Sequence, residues 1–375
     1  MASCFALQPF YCKPARCSNC QPHGHNFPIG RSNTTRIEAP SSEGLTDARL
    51  GHIVRLLSDN ATLVVSGTRI AEELGTTRSE VWRAVQHLRE LGVRIVGHPA
   101  TGYQLESVAD LLLPDIIGRL VNGTIFASRI RHYFRIGSTN TAAMAAAAEG
   151  EPEGTVFLAE EQTAGRGRGT KTWESTPSDG IYCSVILRPQ LAPADALLLS
   201  LIAGIAVSES VQQTTGLHPD LRWPNDVLLG EKKFCGILTE MHAEATRVRY
   251  VVVGIGINVN HRSFSPELEP IATSLRLMSG HEWSRVQVAA ALLKSLNTWY
   301  RQLSSNTAEA RAAVSEAFEQ RSSYARSRLV HVDEGAGYDG VTEGLDSRGF
   351  LLVRTPSGVR TVLSGLVRAK PALEG

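Results

Sequence analysis

The stretch TAGRGRGTKTWES, residues 163–175, decides which kind of α/β fold the chain can have. A P-loop needs four residues between its two glycines and a helix directly after its lysine. Gly165 and Gly169 have only three residues between them, and the following STPSDG would interrupt a helix. A dinucleotide-binding loop would need glycine where Thr170 stands. The stretch is therefore predicted to be a glycine-rich loop that presents Arg166 and Arg168 to phosphate or carboxylate, with a solvated, arginine-bearing turn as the alternative.

Length and composition are those of a globular protein with two or three domains. The chain has 375 residues, 42% hydrophobic and 20% charged, with a formal net charge of +1. No apolar run is predicted to span a membrane, because the longest, near 197–207, is short and interrupted by Ser200 and Gly204. The near-zero net charge gives no overall basic field of the kind that attracts nucleic acid.

The cysteines do not form the pattern of a disulfide framework. Four of the six lie in the first twenty residues, and the other two stand singly in apolar surroundings: Cys4, Cys12, Cys17, Cys20, Cys183 and Cys235. Cys17 and Cys20, followed by His23 and His25, are residue types of a zinc site, but the segment lacks apolar periodicity, so a zinc site is not favoured. The segment also has no acidic residue before Glu38, which is typical of a transit peptide, a disordered tail or an untranslated leader. Residues 1–44 are predicted to lie outside the fold.

Residues 45–106 have the order of elements of a winged helix-turn-helix domain. ARLGHIVRLL (48–57) has one apolar helical face, and GTRIAEELG (67–75) is a short second helix that ends at Gly75. TTRSEVWRAVQHLRELG (76–92) is a third helix that begins with the capping-box pair Thr77 and Glu80. VRIVGHPATGYQL (93–105) follows as two short strands around a turn.

The third helix is predicted to bury Val81, Val85 and Leu88, with Trp82 beside them. Its outward face is predicted to enter a DNA major groove through Arg78, Ser79, Arg83 and Gln86. Residues 45–105 carry seven arginines against six acidic residues, so the attraction of one copy to phosphate is weak and DNA binding is expected to need a dimer. A helical module that docks on protein is the alternative.

Residues 107–323 are predicted to be an α/β (α+β) domain. Strands are expected at IRHYFRI (130–136), GTVFLAEEQ (154–162), GIYCSVIL (180–187), LRWPNDVLL (221–229), KKFCGILTEMH (232–242) and VRYVVVGIGINVN (248–260). An alanine-rich helix follows GSTN (137–140), a long apolar helix fills 194–214, and further helices lie near 286–303 and 307–318. In residues 324–375, apolar residues alternate between glycine turns, which predicts a small β-barrel.

Four motifs of the central region lie at strand ends or turns, where ligand groups are commonly displayed. They are GSTN, the loop at 163–175, WPND with KKFCGIL, and GIGINVN. Their order and spacing resemble those of the biotin protein ligases from about Leu45 to Val367, and the winged helix resembles that of the bifunctional members, which also repress biotin genes. Family members often carry glycine where Thr170 stands and a bulkier residue at Gly169, which bears on loop kinetics more than on catalysis.

The resemblance implies a mixed-sheet catalytic domain of the class II aminoacyl-tRNA-synthetase-like type and an SH3-like carboxy-terminal barrel. It implies a ligase that joins biotin and ATP into biotinyl-5′-adenylate and then acylates a lysine of the biotin carboxyl carrier protein of acetyl-CoA carboxylase. Mg²⁺ as activating ion, a ligand-promoted homodimer, operator DNA of biotin genes and a cytoplasmic location are implied as well.

The same resemblance assigns roles to individual residues. The catalytic group is Lys233, Arg166 and Arg168. The residues implied to bind biotin are Ser138, Thr139, Asn140, Gln162, Gly165, Arg166, Gly167, Arg168 and Lys233. The residues implied to bind ATP or the adenylate are Arg168, Trp173, Asn225, Asp226 and Asn258, with Asp226 also a candidate Mg²⁺ ligand.

The residue patterns alone leave ordinary structural roles open. Ser138 and Thr139 suit the start of the alanine-rich helix, Trp173 suits a core position, and Asp226 and Asn258 are common turn residues. Three other functions compete with the bifunctional ligase: a lipoate ligase of the same fold, a regulator that only senses biotin, and a monofunctional ligase with a non-regulatory winged helix. A regulator that only senses biotin would have no need of Lys233.

Overall fold

The structure is a computed structural model, which describes residues 47–60, 62–107, 110–363, 365 and 367–370. The predictions for residues 1–44, including the zinc-type motif from Cys17 to His25, lie outside the described residues.

The amino-terminal part has the predicted three helices and hairpin: α1 Asp47–Asp59, α2 Gly67–Leu74, α3 Arg78–Glu90, β1 Arg94–His98 and β2 Gly102–Ser107. Both cap predictions are confirmed. Thr77 and Glu80 form a capping box at the start of α3, and Gly75 ends α2 in a left-handed conformation. Side chains of all three helices and the hairpin form one hydrophobic core, which Phe134 of the central region joins.

Trp82 is a correction to the predicted burial of α3. Val81, Ala84, Val85 and Leu88 are buried as their helical spacing predicts, but the Trp82 side chain is 55% exposed. Trp82 lies about 100° around the helix from Val81, at the edge of the apolar stripe, so periodicity did not determine its side. The packing of α1 and α2 leaves it on the solvent face.

A seven-stranded sheet forms the centre of the chain, with strand order β3-β4-β5-β9-β8-β7-β6. β3 and β4 are parallel and the remaining pairs antiparallel. The strands are β3 Ile130–Tyr133, β4 Val156–Ala159, β5 Gly180–Leu187, β6 Asp220–Arg222, β7 Asp226–Leu229, β8 Lys232–Ala243 and β9 Val248–Asn258. The mixed sheet that the resemblance implied is therefore present.

Helices cover both faces of this sheet. The helices of this region are α4 Pro114–Leu120, α5 Thr139–Ala148, α6 Leu197–Thr215, α7 Leu275–Ser279, α8 Arg285–Leu303 and α9 Ala308–Glu319. Alternate residues of β4, β5 and β9 pack either with α6 and α8 in the main core or with the alanines of α5 in a smaller one. The segment Pro193–Thr215 is long and apolar enough to cross a membrane, but its most apolar 18-residue stretch is 83% buried inside the protein, as in a core helix.

The stretch LRWPNDVLL is not one strand, as its apolar residues suggested, but a two-stranded hairpin. β6 and β7 pair across a turn at Trp223, Pro224 and Asn225, and the Trp223–Pro224 peptide bond is cis. The buried Trp223 indole donates through Nε1 to the carbonyl of Gly349 at 2.9 Å, which fixes the turn against the carboxy-terminal part of the chain. Asn225 and Asp226 therefore lie on a rigid support.

The carboxy-terminal part is a five-stranded antiparallel sheet of order β13-β12-β11-β10-β14. Its strands are β10 Arg326–Val332, β11 Tyr338–Leu345, β12 Leu351–Thr355, β13 Gly358–Val362 and β14 Val367–Ala369. Its buried valines and Leu351 belong to the same core as α6. The predicted β-structure is present as an antiparallel sheet, while the strand pairings of the described residues do not close it into a barrel.

A buried ion pair connects the segment after β2 to the central sheet. Arg285 donates to the Glu160 carboxylate at 2.7 Å, and His132 Nε2 lies 2.9 Å from its other oxygen. Asp110 accepts from the backbone of Arg285, and Leu112 donates to Glu160 at 3.0 Å. Burial alone would raise the pKa of Glu160, but Arg285 and His132 lower it to about 2.

Candidate functional site

A pocket lies over the central strands β5, β9 and β8 of this sheet, between the start of α5 and the loop at 163–175. Its lining includes most of the predicted site residues: Ser138, Thr139, Asn140, Gln162, Arg166, Gly167, Arg168, Trp173, Asn225 and Lys233. These residues come from four separate segments of the chain, 138–140, 162–173, 225 and 233. The structure therefore brings together side chains that the sequence connects only through the family resemblance.

The loop at 163–175 is a short hairpin that covers this pocket. Arg166 pairs with Thr172 in an antiparallel bridge, and the Gly167 and Trp173 amides donate to Lys171 and Gly165 carbonyls at 2.7 and 2.9 Å. Gly169 has a φ of +64° in the turn, a conformation that glycine adopts without strain. The glycine at position 169 thus serves the turn of this hairpin.

Glycines in β8 and β9 make room for the Trp173 ring on the pocket floor. A Cβ atom at Gly256 would lie 2.6 Å from the ring, and one at Gly236 would lie 2.8 Å from it. The buried Trp173 Nε1 has no hydrogen-bond partner among the residues that the structure describes. Buried donors are usually satisfied, so this N–H is available to a ligand acceptor.

Lys233, at the start of β8, is held by a carboxylate between two cations. Its Nζ lies 2.6 Å from Asp226 Oδ1, and Arg222 Nη2 lies 2.6 Å from the other oxygen of the same group. Burial raises the pKa of Asp226, but Lys233 and Arg222 outweigh burial and hold it below its usual range. Asp226 therefore remains ionised and orients the Lys233 ammonium, which lies 5.5 Å from the centre of the Trp173 ring.

The two loop arginines also contact protein acceptors. Arg168 Nη1 donates to Asn225 Oδ1 at 3.2 Å, and Arg166 Nη2 forms an ion pair with Glu240 at 2.5 Å. With Arg222 and Lys233 they make four cations, whose carboxylate partners are Asp226 and Glu240. The pocket and its immediate surroundings thus carry a surplus of two positive charges, which suits a ligand with phosphate or carboxylate groups.

The inner end of the pocket is a continuous polar network. The backbone N–H and hydroxyl of Thr139 lie 2.8 and 3.1 Å from Gln162 Oε1, and Ser184 Oγ lies within 2.8 Å of both Thr139 and Asn140. Asn140 Nδ2 donates to Leu238 O and, at 2.9 Å, to Glu240, which also binds Arg166. One chain of bonds therefore joins the inner end to the loop.

Ser138 has both roles that the sequence left open. Its hydroxyl accepts from the Thr141 N–H at 3.4 Å as the cap of α5, and its side chain also lines the pocket. The start of α5 thus faces the pocket, where its partial positive charge favours an electronegative ligand group. Capping and ligand binding are compatible because the hydroxyl has a second lone pair and a proton.

Three predicted site residues are not part of the pocket lining: Gly165, Asp226 and Asn258. Asn258 is buried and donates to Thr273 O at 3.1 Å, so its adenine contact stays a prediction without geometric support. Lys232, the neighbour of Lys233 in the chain, donates to Glu269 O at 2.8 Å outside the pocket lining.

The described residues offer no metal cage of their own. They contain no group of three or more His, Cys, Asp or Glu side chains that would hold an ion, and both Asp226 oxygens bind cations. In this structure Asp226 orients Lys233 and Arg222, and its role as a Mg²⁺ ligand stays a prediction. Cys183 lines the pocket, but burial raises the pKa of its thiol to about 12, so it is a neutral packing residue and not a nucleophile.

Several pocket residues were missed from the sequence. Ser184, Glu240 and Arg222 lie inside or beside apolar strands, and Gly254 would place a Cβ atom 2.1 Å from Asn140 Oδ1. The alternation of glycine with isoleucine in GIGIN was the available signal, because small residues on one face of a strand indicate a close neighbour.

The predicted DNA-binding residues lie on the outward face of α3. Arg78, Ser79 and Arg83 are exposed and Gln86 is half-buried. In the described part of the chain, Arg78 and Arg83 have no hydrogen-bond or ion-pair partner. The helix therefore presents two uncompensated cations to solvent.

Comparisons with known proteins find matches for both the pocket-bearing region and the amino-terminal helical region of the chain. The Biotin/lipoate A/B protein ligase family model matches residues 134–258, and an HTH domain model matches residues 49–104. The chain is 34% identical to the bifunctional ligase/repressor BirA of Bacillus spizizenii over 83% of this chain and 96% of that one. It is 36% identical to the biotin–[acetyl-CoA-carboxylase] ligase of Mycobacterium tuberculosis over 60% of this chain and 83% of that one. Among solved structures, the biotin protein ligase of Aquifex aeolicus in complex with biotin and ATP matches at 28% identity with a TM-score of 0.56, covering 65% of this chain and all of that one.

Proposed function

The chain belongs to the biotin protein ligase family, in its bifunctional ligase/repressor branch, and we propose that it activates biotin with ATP and transfers it to a biotin carboxyl carrier protein. The observation that carries this proposal is the convergence of Lys233, Arg166 and Arg168 on one pocket with a polar inner end. Joining a carboxylate to a triphosphate brings two anions together, and oriented cations lower the cost of that approach.

In the first step, a carboxylate oxygen of biotin attacks the α-phosphorus of ATP. The new bond gives biotinyl-5′-adenylate, and the bond to the β-phosphate breaks so that pyrophosphate leaves with its electron pair. Lys233, oriented by Asp226, neutralises the carboxylate and the α-phosphate, and Arg166 and Arg168 bind the phosphate from the loop. Mg²⁺ is proposed to arrive with ATP as part of the substrate, since the pocket supplies no metal cage.

In the second step, a deprotonated lysine amine of the carrier protein attacks the acyl carbon of the adenylate. The amide C–N bond forms, the C–O bond to AMP breaks, and the amine loses a proton to solvent. The same cations stabilise the departing phosphate of AMP. Trp173 supplies a ring and an unpaired indole N–H near Lys233, which supports its proposed place beside the nucleotide.

The inner end of the pocket favours biotin over lipoate. Biotin carries a cyclic urea with two N–H donors and one carbonyl, whereas the dithiolane of lipoate has no strong donor or acceptor. The polar groups of Ser138, Thr139, Asn140, Gln162 and Ser184 can pair with a urea. Opposite a dithiolane they would lose solvent without gaining partners, which costs affinity.

We also propose that the winged helix makes the protein a biotin-responsive repressor. Arg78, Ser79, Arg83 and Gln86 would bind operator DNA of biotin genes, and a ligand-promoted homodimer would supply the two half-sites. The match to bifunctional relatives along most of their length supports this over a monofunctional ligase with a non-regulatory winged helix.

Three structural proposals accompany this function. The domains span 45–106, 107–323 and 324–375, the central one of class II aminoacyl-tRNA-synthetase-like type. The antiparallel carboxy-terminal sheet is proposed to curl into an open SH3-like barrel, in which the end strands β13 and β14 do not pair. The protein acts in the cytoplasm, where its carrier protein and DNA would be found.

The test is adenylation and transfer by the full chain with labelled ATP and either biotin or lipoate, in the presence of a carrier domain. We expect adenylate and a modified carrier with biotin and at most trace product with lipoate. Equal or faster reaction with lipoate would contradict the proposal.

A further inference from the structure

Trp82 is an exposed aromatic residue at the centre of the DNA-facing surface of α3. Its side chain is 55% exposed, although the apolar side chains on the other face of the helix complete the core without it. Residues three and four apart are neighbours on a helix, so Trp82 lies beside Arg78 and Ser79 on one side and Gln86 on the other. The residues predicted to bind DNA therefore surround it.

The indole has its only donor engaged inside the protein. In the orientation that satisfies its neighbours, the Gln86 side-chain oxygen accepts from Trp82 Nε1 at 3.3 Å and from Arg89 Nη1 at 3.0 Å. This bond fixes the ring along the helix. What remains accessible is an apolar surface, which cannot read a base through hydrogen bonds.

The flanking charges indicate which partner covers this apolar surface. Arg78 and Arg83 are exposed and unpaired within the described residues, so the surroundings of the ring attract a polyanion. A large aromatic on a soluble surface gains free energy when a partner removes it from water. In the major groove, the apolar group on the base edges is the C5-methyl of thymine.

We propose that Trp82 is a specificity-determining residue of the winged helix, whose ring contacts thymine methyl groups while Arg78 and Arg83 contact phosphates. The inference rests on the proposed DNA binding and adds which base the helix reads and by what chemistry. A second copy of the chain packed on this ring is the competing occupant.

The experiment begins with selection of duplexes from a random-sequence pool by the full chain with biotin and ATP. Fluorescence anisotropy at fixed salt then measures the Kd of a selected duplex and of an unrelated duplex of equal length. The variants are Trp82→Ala, Trp82→Phe and, as a matched control, Leu63→Ala, which removes another apolar side chain of this domain that is 60% exposed. Thermal unfolding followed by circular dichroism verifies that each variant is folded.

We expect Trp82→Ala to weaken binding to the selected duplex about tenfold or more, with Trp82→Phe intermediate and Leu63→Ala close to the natural protein. Binding to the unrelated duplex should change less than about twofold, since phosphate contacts dominate there. Deoxyuridine in place of thymine in the selected duplex should weaken the natural protein about threefold and leave Trp82→Ala unchanged.

Equal affinity of Trp82→Ala and the natural protein for the selected duplex would overturn the inference while leaving the proposed DNA binding intact. A pool that is not enriched at all would refute DNA binding itself. Loss of dimer in sedimentation, with no response to deoxyuridine, would assign the ring to a protein contact and overturn the inference.

Discussion

The DNA-facing helix and the ligand pocket both present cationic side chains, which are unpaired on the helix and bonded to protein acceptors in the pocket. On α3, Arg78 and Arg83 are exposed and have no partner among the residues that the structure describes. In the pocket, Lys233 bonds to Asp226, Arg166 to Glu240 and Arg168 to Asn225.

This difference indicates how each surface recognises an anion. Unpaired surface cations attract a polyanion at a distance, and salt screens that attraction. Cations already fixed by protein acceptors lose little conformational freedom when a ligand arrives, so they suit a reaction that depends on exact positions.

The largest effect is expected from Lys233→Ala. Adenylate formation should fall at least about a hundredfold, or ~3 kcal/mol of transition-state stabilisation, because loop arginines held by Glu240 and Asn225 do not replace the ammonium at the carboxylate. Lys232→Ala is the matched control, since that side chain contacts Glu269 O outside the pocket. Biotin-dependent pyrophosphate exchange measures both variants, and a near-normal rate for Lys233→Ala would remove the lysine from its assigned role.

Low pH should destabilise the catalytic part of the chain through protonation of His261. Burial, and then the nearby Arg285, lowers the pKa of His261 from 6.5 to about 4. As pH falls, this histidine takes up a proton at a higher pH in the unfolded chain than in the folded one. Its contribution to the free energy of unfolding is therefore present above pH 6.5 and lost toward pH 4. We expect the free energy of unfolding to fall by about 2 kcal/mol from this group between pH 7 and pH 5.

Urea denaturation at the two pH values measures this loss, and His261→Gln should remove it. The variant retains an amide that can bond to Tyr182, whose hydroxyl lies 3.5 Å from His261 Nε2. An unchanged difference between pH 7 and pH 5 in the variant would show that other groups carry the acid sensitivity.

Gly256→Ala tests the packing of the pocket floor. The added Cβ atom would lie 2.6 Å from the Trp173 ring, so the ring or strand must move and adenylate affinity should fall about tenfold. Gly51→Ala, in α1, is the control, because nothing lies within 4 Å of its added Cβ atom. Calorimetric titration with a non-hydrolysable adenylate analogue gives both affinities, and equal values would place Trp173 outside the ligand site.

The smallest effect is expected from Glu240→Gln. This substitution keeps an acceptor for Asn140 but removes the negative charge that pairs with Arg166 in the half-exposed loop. Arg166 loses the partner that fixes it, so adenylate affinity should fall about threefold, and hydrogen exchange at 163–172 should increase without ligand. Glu244→Gln, which affects a surface pair with Arg249, should do neither. Tighter adenylate binding in Glu240→Gln would show that the ion pair competes with the ligand for Arg166 instead of positioning it.

Local sequence signals accounted for much of the fold. The capping box at Thr77 and Glu80, the end of α2 at Gly75 and the strands β5 and β9 depend on residues close together in the chain, and these predictions are confirmed. Trp82 was placed on the wrong side because its helical angle lies at the edge of the apolar stripe. The LRWPNDVLL strand was wrong because its apolar residues belong to two strands on either side of a turn.

The site could be predicted only in part from the sequence, for a different reason. Lys233 and the loop arginines stand in motifs that match a family, whereas Glu240 and Ser184 take their roles from long-range contacts, with Arg166 and Asn140 respectively. Strand register brings Ser184 opposite Gly254, and no local pattern encodes that register. The protein partners of the pocket cations therefore became visible only in three dimensions.

The most direct test of the whole account measures DNA binding by the full chain in three ligand states. A selected duplex is titrated at one salt concentration without ligand, with biotin alone, and with biotin and ATP. If the pocket makes the adenylate and the adenylate favours the dimer that presents α3, the third state should bind about tenfold more tightly than the first, and the duplex should tighten adenylate binding by the same factor. Equal affinity in all three states would contradict a biotin-responsive repressor and leave a ligase whose winged helix does not respond to its pocket.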